Sequence, residues 1–356
     1  MSRLHVRWAR KLPKKNFSIV NSSVAVGSDA VLIGNGDGYL YSVARRTGAL
    51  RWRARTGKGI QSSPAISDGV VYVGSNDGYL YAIRAKSGVH IWRTKVGVLV
   101  GSSSPLVVGD AVYIATLTEV QGGGALYAID KASGSVLWQA DLGSSGTASS
   151  PSFFSGEVYI GNTDGNVLVF PASCSTPCDP LAQYDLGGGL EVGTPVVASD
   201  RIFVSADSEG GSEFFALPPT CPADEVCGPI WHADTVTPFT FSTPAVAKGV
   251  VYVQGFKLYA FRASCATGGA KCSPLWKGDV PGSSSPAVAN GVVYTGSNKG
   301  RLYAFRAGCA SGGRTCKPLY RGPPSGGTPF ATSPAVISGK VFYGAFTTLR
   351  AFALRR

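Results

Sequence analysis

Seven times along the chain a serine or threonine followed by proline heads an apolar run: Ser63-Pro64, Ser104-Pro105, Ser150-Pro151, Thr194-Pro195, Thr243-Pro244, Ser285-Pro286 and Ser333-Pro334. Ser23-Val24 keeps the same phase without the proline. The intervals are about 40 to 50 residues, the length of a four-stranded propeller blade. The clearest copy, residues 62–97, holds four short strand patterns at 64–66, 70–74, 79–84 and 89–94, divided by Asp68-Gly69, Asn76-Asp77-Gly78 and Ser87-Gly88. Those dipeptides supply the positive φ angles of tight turns. Tyr72 alternates with Val71 and Val73, and Tyr81 and Ile83 with Leu80, Ala82 and Arg84, the period of two of a pleated ribbon. Each unit is therefore expected to be an antiparallel meander.

A large aromatic closes each unit: Trp52, Trp92, Trp138, Tyr184, Trp231, Trp276 and Tyr320. The last unit, from Thr332 onward, has three strand patterns and no terminal aromatic, whereas the N-terminal stretch Leu4-His5-Val6-Arg7-Trp8 has the aromatic and no unit of its own. Pairing the two completes the ring and removes two exposed sheet edges. We therefore expect an all-β, eight-bladed β-propeller of four-stranded antiparallel blades, a single domain over residues 1–356. Its final blade is formed by 332–356 plus 1–12.

The run from Asp130-Lys131-Ala132-Ser133-Gly134 to Trp138, with its variants Thr47-Gly48 to Trp52 and Ser87-Gly88 to Trp92, resembles the tryptophan-docking repeat of propellers related to pyrroloquinoline quinone (PQQ) dehydrogenases. The resemblance covers essentially the whole chain. It implies that Trp8, Trp52, Trp92, Trp138, Tyr184, Trp231, Trp276 and Tyr320 are docking residues. The same repeat serves quinoprotein alcohol dehydrogenases, a bacterial lipoprotein that assists outer-membrane protein assembly, and extracellular sensor domains of kinases. In the dehydrogenases the cofactor lies between a tryptophan and a disulfide of adjacent cysteines, beside a calcium ion held by acidic and amide side chains. This sequence has no adjacent cysteines, its six tryptophans all fall at docking positions, and no Cys-x-x-Cys-His haem site is present. No PQQ or other cofactor is therefore expected, and PQQ-dependent oxidation is the third-ranked function.

All eight cysteines form close local pairs: Cys174 with Cys178, Cys221 with Cys227, Cys265 with Cys272, and Cys309 with Cys316. Each pair occupies the hairpin that is a simple Lys86-Ser87-Gly88 turn in the clearest copy. A tetrahedral zinc site needs four converging ligands, which pairs on separate units do not readily supply, so disulfides are expected and no metal site. Each would contribute about 2 to 3 kcal/mol in the chain-entropy model. Disulfides point to an oxidising compartment, hence an extracytoplasmic (periplasmic or secreted) protein. The N-terminal MSRLHVRWARKLPKK has no apolar signal core, so we expect a trimmed signal or anchor, or a domain of a longer chain. No apolar run approaches membrane-spanning length.

In a propeller, the loops between blades and the turns between second and third strands gather around the channel. Here they carry Gln61, Leu99, Glu191, Phe239, Phe241 and Phe330, which we take as candidate ligand contacts in a largely apolar mouth. Glu191 stands where the other copies have apolar or small residues. Glu119 and Glu209 lie in insertions, at 117–124 and 207–212, that lengthen the rim, and long loops often carry function. These three glutamates are the candidate acids or bases. The aspartates of Asp37-Gly38, Asp77-Gly78 and Asp164-Gly165 read as turn formers. His5, His90 and His232 fall on fourth strands, outside the mouth, and assemble no triad. A net charge of +12 is concentrated near the N-terminus and in the first two units. Closure would make it a basic rim over blades eight, one and two, open to an anionic partner. No recognition helix or base-stacking platform indicates specific nucleic-acid binding.

The favoured function is a non-catalytic binding, scaffold or sensor propeller, expected to be a monomer, that holds a protein, glycan or small ligand at its channel face. The alternative is an enzyme using Glu191 or an insertion carboxylate in an apolar pocket, where burial would raise its pKa.

Overall fold

The structure is a computed structural model describing residues 4–13, 22–117, 123–144, 146–187, 191–208, 211–222, 227–235, 242–282, 284–309, 312–326 and 332–354. It has eight sheets, each built on a four-stranded antiparallel meander, arranged as an eight-bladed β-propeller. Blade 1 comprises Ala25–Val26, Ala30–Asn35, Tyr39–Ala44 and Leu50–Arg55. Blade 2 comprises Ala65–Ser67, Val70–Gly74, Tyr79–Arg84 and His90–Lys95, within a residue or so of the sequence patterns. Blades 3 to 7 begin at Leu106, Ser152, Val196, Ala245 and Ala287 and repeat that order. Blade 8 takes Ala335–Ile337, Lys340–Ala345 and Thr348–Leu354 from the C-terminal end and Leu4–Lys11 from the N-terminal end. Its closing register runs from Leu4 opposite Leu354, through Trp8 opposite Ala351, to Lys11 opposite Thr348.

Local chemistry explains why these residues make these elements. At the first hairpin of blade 2, Asp68 and Gly69 both have positive φ (49° and 76°), the pair of values a two-residue turn needs to match strand twist. The second strands are buried on both faces, as in Val71, Tyr72 and Val73, because each blade packs between two neighbours. Successive blades share apolar layers, and the layer of Val31, Ile33, Tyr41, Phe342, Leu349 and Ala351 joins blade 1 to blade 8.

The serine or threonine of the repeated motif has a role that the spacing alone does not disclose. In seven of the eight, the backbone N–H donates to the hydroxyl of its counterpart one blade on: Ser23 to Ser63, Ser63 to Ser104, Ser104 to Ser150, Ser150 to Thr194, Thr243 to Ser285, Ser285 to Ser333, and Ser333 back to Ser23 at 2.9 Å. A second, fully buried hydroxyl just before it accepts the N–H twelve residues on, as Ser22 does from Gly34 and Ser62 from Gly74. In blade 5 Gly193 replaces that serine, and its own N–H donates to Ser205 O instead. Polar groups that the narrow centre of the ring would otherwise strand are thus paired around the circumference.

Candidate functional site

All six indole N–H groups donate to a backbone carbonyl of the following blade: Trp8 to Arg45, Trp52 to Ala85, Trp92 to Lys131, Trp138 to Ala172, Trp231 to Ala263 and Trp276 to Ala307, at 2.9 to 3.2 Å. In blades 8, 1 and 2 the ring lies on the glycine of the next blade's turn. A Cβ on Gly88 would come within 2.7 Å of the Trp52 ring, and φ of +75° already favours glycine there. Tyr320 packs edge-on against Phe352 at 6.0 Å. Tyr184 is fully buried but its hydroxyl has no hydrogen-bond partner among the described residues, and burial, then the Glu157 charge, pushes its pKa up to about 12.

The four cysteine pairs are disulfide-bonded, with Cα separations of 5.7 to 6.2 Å. Their hairpins reach back over the preceding blade. Ala270–Lys271, inside the Cys265–Cys272 loop, pairs in parallel with Trp231–Asp234, the outer strand of blade 5. Arg314–Cys316 does the same to Trp276–Gly278 of blade 6, and Cys178 N–H donates to Gln139 O on the outer strand of blade 3. Cys221 and Cys227 pack in one apolar layer with Tyr184 of blade 4. The arms seal the outer edges of a run of blades, and Trp138, Trp231 and Trp276 beneath them are at most 2 % exposed.

Of the candidate mouth residues, Phe239, Phe241, Phe330, Glu119 and Glu209 lie outside the described residues. Gln61 and Leu99 are half-buried in blade-to-blade segments, and Leu99 forms a backbone bridge with Leu117. Glu191 belongs to a short strand, Glu191–Val192, directly opposite Asp207 on Arg201–Ser208. The expected insertion at 207–212 instead continues the ladder, with Asp207 opposite Ser212 and Ser208 opposite Gly211. Two carboxylates therefore face each other across a strand pair, Glu191 half-buried and Asp207 buried. Burial, and secondarily the Asp207 charge, raises the Glu191 pKa. Such a pair can retain a proton above the usual carboxylate range or hold a cationic group. The turn aspartates form turns and also tie blades together: Asp77 accepts the Tyr79 N–H, the Tyr81 hydroxyl at 2.6 Å and, across the blade junction, the Gly57 N–H at 2.7 Å.

Glu213, His232 and Asp234 also converge on blade 5, their ligand atoms within 4.8 Å of one another. Lys271, carried on the blade 6 arm, places its ammonium 2.5 Å from Asp234. A cation is thus already built into that cluster, which ties the arm to the strand it covers.

The feature sequence reasoning passed over lies at the junction of blades 1 and 2. An open cleft of about 470 Å³ is lined by Arg55, Thr56, Gly57, Tyr81, His90, Trp92 and Arg93. His90 lines the cleft, where desolvation and then the Arg93 charge lower its pKa. The alternation of Arg51, Arg53 and Arg55, and of Arg93 and Lys95, was the available signal, visible only once those strands are known to be edges.

A family model described as outer membrane protein assembly factor BamB matches residues 5–217. The chain belongs to this PQQ-like repeat propeller family. Among solved structures, BamB from Moraxella catarrhalis is 17% identical, with 99% of this chain and 98% of that one covered and a TM-score of 0.72. Quinohemoprotein alcohol dehydrogenase from Comamonas testosteroni is 14% identical over 100% of this chain and 77% of its own, with a TM-score of 0.75. The computationally designed Ika8 protein is 14% identical over 96% and 98%, with a TM-score of 0.68. No curated protein matches the chain in sequence. At these identities the structural likenesses establish the family's fold. The four disulfides are consistent with an extracytoplasmic location, and no helix of the described residues is long and apolar enough to cross a membrane.

Proposed function

We propose that this family member is a non-catalytic, extracytoplasmic scaffold or sensor propeller, periplasmic or secreted, that holds a partner rather than transforming a substrate. The observation that carries the reading is the commitment of every tryptophan to blade docking. A quinone stacked on an indole would have to displace one of these contacts, and every cysteine is bound to a near neighbour in sequence rather than to an adjacent one. The description of the matching family model, an outer membrane protein assembly factor, fits this reading. Native mass spectrometry of the oxidised protein, with PQQ and calcium added, tests it. The expected result is an unshifted mass; stoichiometric PQQ retention, or alcohol oxidation with an artificial electron acceptor, would overturn it.

The Glu191–Asp207 pair favours a second reading, an acid or base in an enclosed pocket. Glu191 binds its proton more tightly folded than unfolded. Its contribution to stability is therefore fully present below the ordinary glutamate pKa and is lost as pH rises through the raised value. Glu191→Gln should then raise the melting temperature at pH 7 to 8 and lose that advantage near pH 4. Equal melting curves of variant and parent at both pH values would mean that the pair is open to water, and the enzymatic reading would fall with it.

A further inference from the structure

The outer edges of the blades are protected unevenly. Those of blades 5 and 6 carry an added parallel strand from the next blade's disulfide arm, and that of blade 3 accepts a hydrogen bond from one. Blade 7 ends in a strand of two residues, Tyr320–Arg321, followed by Pro323 and Pro324, with Arg350 bonded to the carbonyls of both prolines. Short strands and prolines blunt an edge. Leu50–Arg55 and His90–Lys95, by contrast, are each six residues long and end their sheets with no further strand among the described residues, as do Leu4–Lys11 of blade 8 and, apart from its one arm contact, Val136–Asp141 of blade 3. They sit at the same position in the blade as the strands the arms cover.

Charge separates the two kinds of edge. The outer strands of blades 3 and 5 end in Asp141 and Asp234, whereas those of blades 1 and 2, each with a β-bulge after its first residue, present exposed Arg53 and Arg55 and, at matching register, exposed Arg93 and Lys95. Arg51 is paired with Asp29, while Arg53 lies 4.7 Å over the Tyr39 ring and Arg93 5.0 Å over Tyr79. Stacking, and a hydrogen bond from each to the Tyr41 or Tyr81 hydroxyl, holds these guanidiniums along the strand with N–H groups to spare among the five each carries. Exposed Leu50, Val89 and Ile91 add apolar contact, and the cleft lined by Arg55, His90 and Arg93 opens beside them.

We propose that the outer edges of blades 1 and 2 take an extended acidic segment of a protein partner as an added β-strand. It would lie parallel to the edge, as the chain's own arms do on blades 5 and 6. Main-chain hydrogen bonds extend the ladder. Carboxylates at alternate positions meet the arginine rows as cross-strand pairs, and one enters the cleft between Arg55 and Arg93. This rests on the scaffold reading and names its partner's chemistry.

The probe is a short synthetic peptide of alternating glutamate and valine, added to the oxidised full-length protein. Hydrogen exchange should show slowed amides in 50–55 and 90–95, and fluorescence anisotropy of labelled peptide should give a saturable isotherm. Methylating the peptide's edge-facing backbone nitrogens should weaken binding at least about tenfold. The exposed-site double variant Arg53→Glu/Arg93→Glu should do the same while keeping the parental melting temperature. No footprint on these strands, or equal binding by the methylated peptide, overturns strand addition. A matching footprint from disordered polyglutamate or from phosphatidylglycerol vesicles assigns the surface to polyanions in general and also overturns it. None of these outcomes bears on PQQ retention, so the two proposals fail separately.

Discussion

Deleting residues 1–12 should abolish the folded monomer. The strand Leu4–Lys11 supplies seven register pairs to blade 8, buries Leu4, and brings Trp8 onto the Gly48 turn of blade 1, where the indole bonds Arg45 O. Its loss bares the outer hydrogen-bonding edge of the third strand of blade 8 and removes the contact by which Trp8 ties the last blade to the first. A half-buried tryptophan and a whole ladder together approach the total stability of a domain, about 5 to 15 kcal/mol. Size-exclusion chromatography should show aggregate in place of a monomer peak. A permutant carrying residues 1–13 after Arg356 should restore it, because Leu4 and Leu354 are already register partners and only residues 355, 356 and 1–3 need bridge them. An undiminished monomer with the parental melting curve after deletion would rule out closure by this strand.

The second large effect concerns the tryptophans, whose costs should follow the arms. Trp231→Ala and Trp276→Ala remove side chains that are 0 % and 1 % exposed, each in a layer with a half-cystine, Cys272 and Cys316 respectively. Each should cost about 3 to 5 kcal/mol, the range for emptying a fully buried aromatic site. Trp52 and Trp92 dock on bare glycine turns and stay partly exposed, so Trp52→Ala and Trp92→Ala should cost visibly less. Urea titrations with unchanged slopes would measure the difference. Equal losses at all four positions would mean that the arms do not deepen the burial of the indoles beneath them.

The blades were legible in the sequence because every determinant is local. Asp68-Gly69 can do little but turn, alternation around Tyr72 fixes two faces, and the mismatch of Trp8 with an incomplete last unit leaves one economical closure. The disulfides were legible for the same reason, since the partners are four to seven residues apart. What the arms do was not legible, because the pairing of Ala270 with Trp231, or Arg314 with Trp276, joins different blades and leaves no periodic trace. The serine ring escaped notice likewise: Ser333 and Ser23 are distant in sequence, and a strand-initiating Ser-Pro reads the same with or without a partner. The channel-face reading fared unevenly. Glu191 stood out as an exception among the repeats and does face a second carboxylate. Asp207 was placed in a loop because hydrophobic alternation weakens toward a hairpin end, although the ladder persists. The basic residues could be placed by closure on a rim over blades eight, one and two, but not on particular strand edges. Only the topology turns them into two rows along uncovered edges.

Amide hydrogen exchange of the oxidised protein, followed strand by strand, tests most directly the claim that one part of the ring is sealed and another is open to a partner. Outer-strand peptides covering 136–141, 231–234 and 276–278 should exchange slowly, and those covering 50–55 and 90–95 faster. Reduction of the disulfides should bring the first group toward the second while leaving 50–55 and 90–95 unchanged. Uniform exchange across all outer strands, insensitive to reduction, would contradict the account.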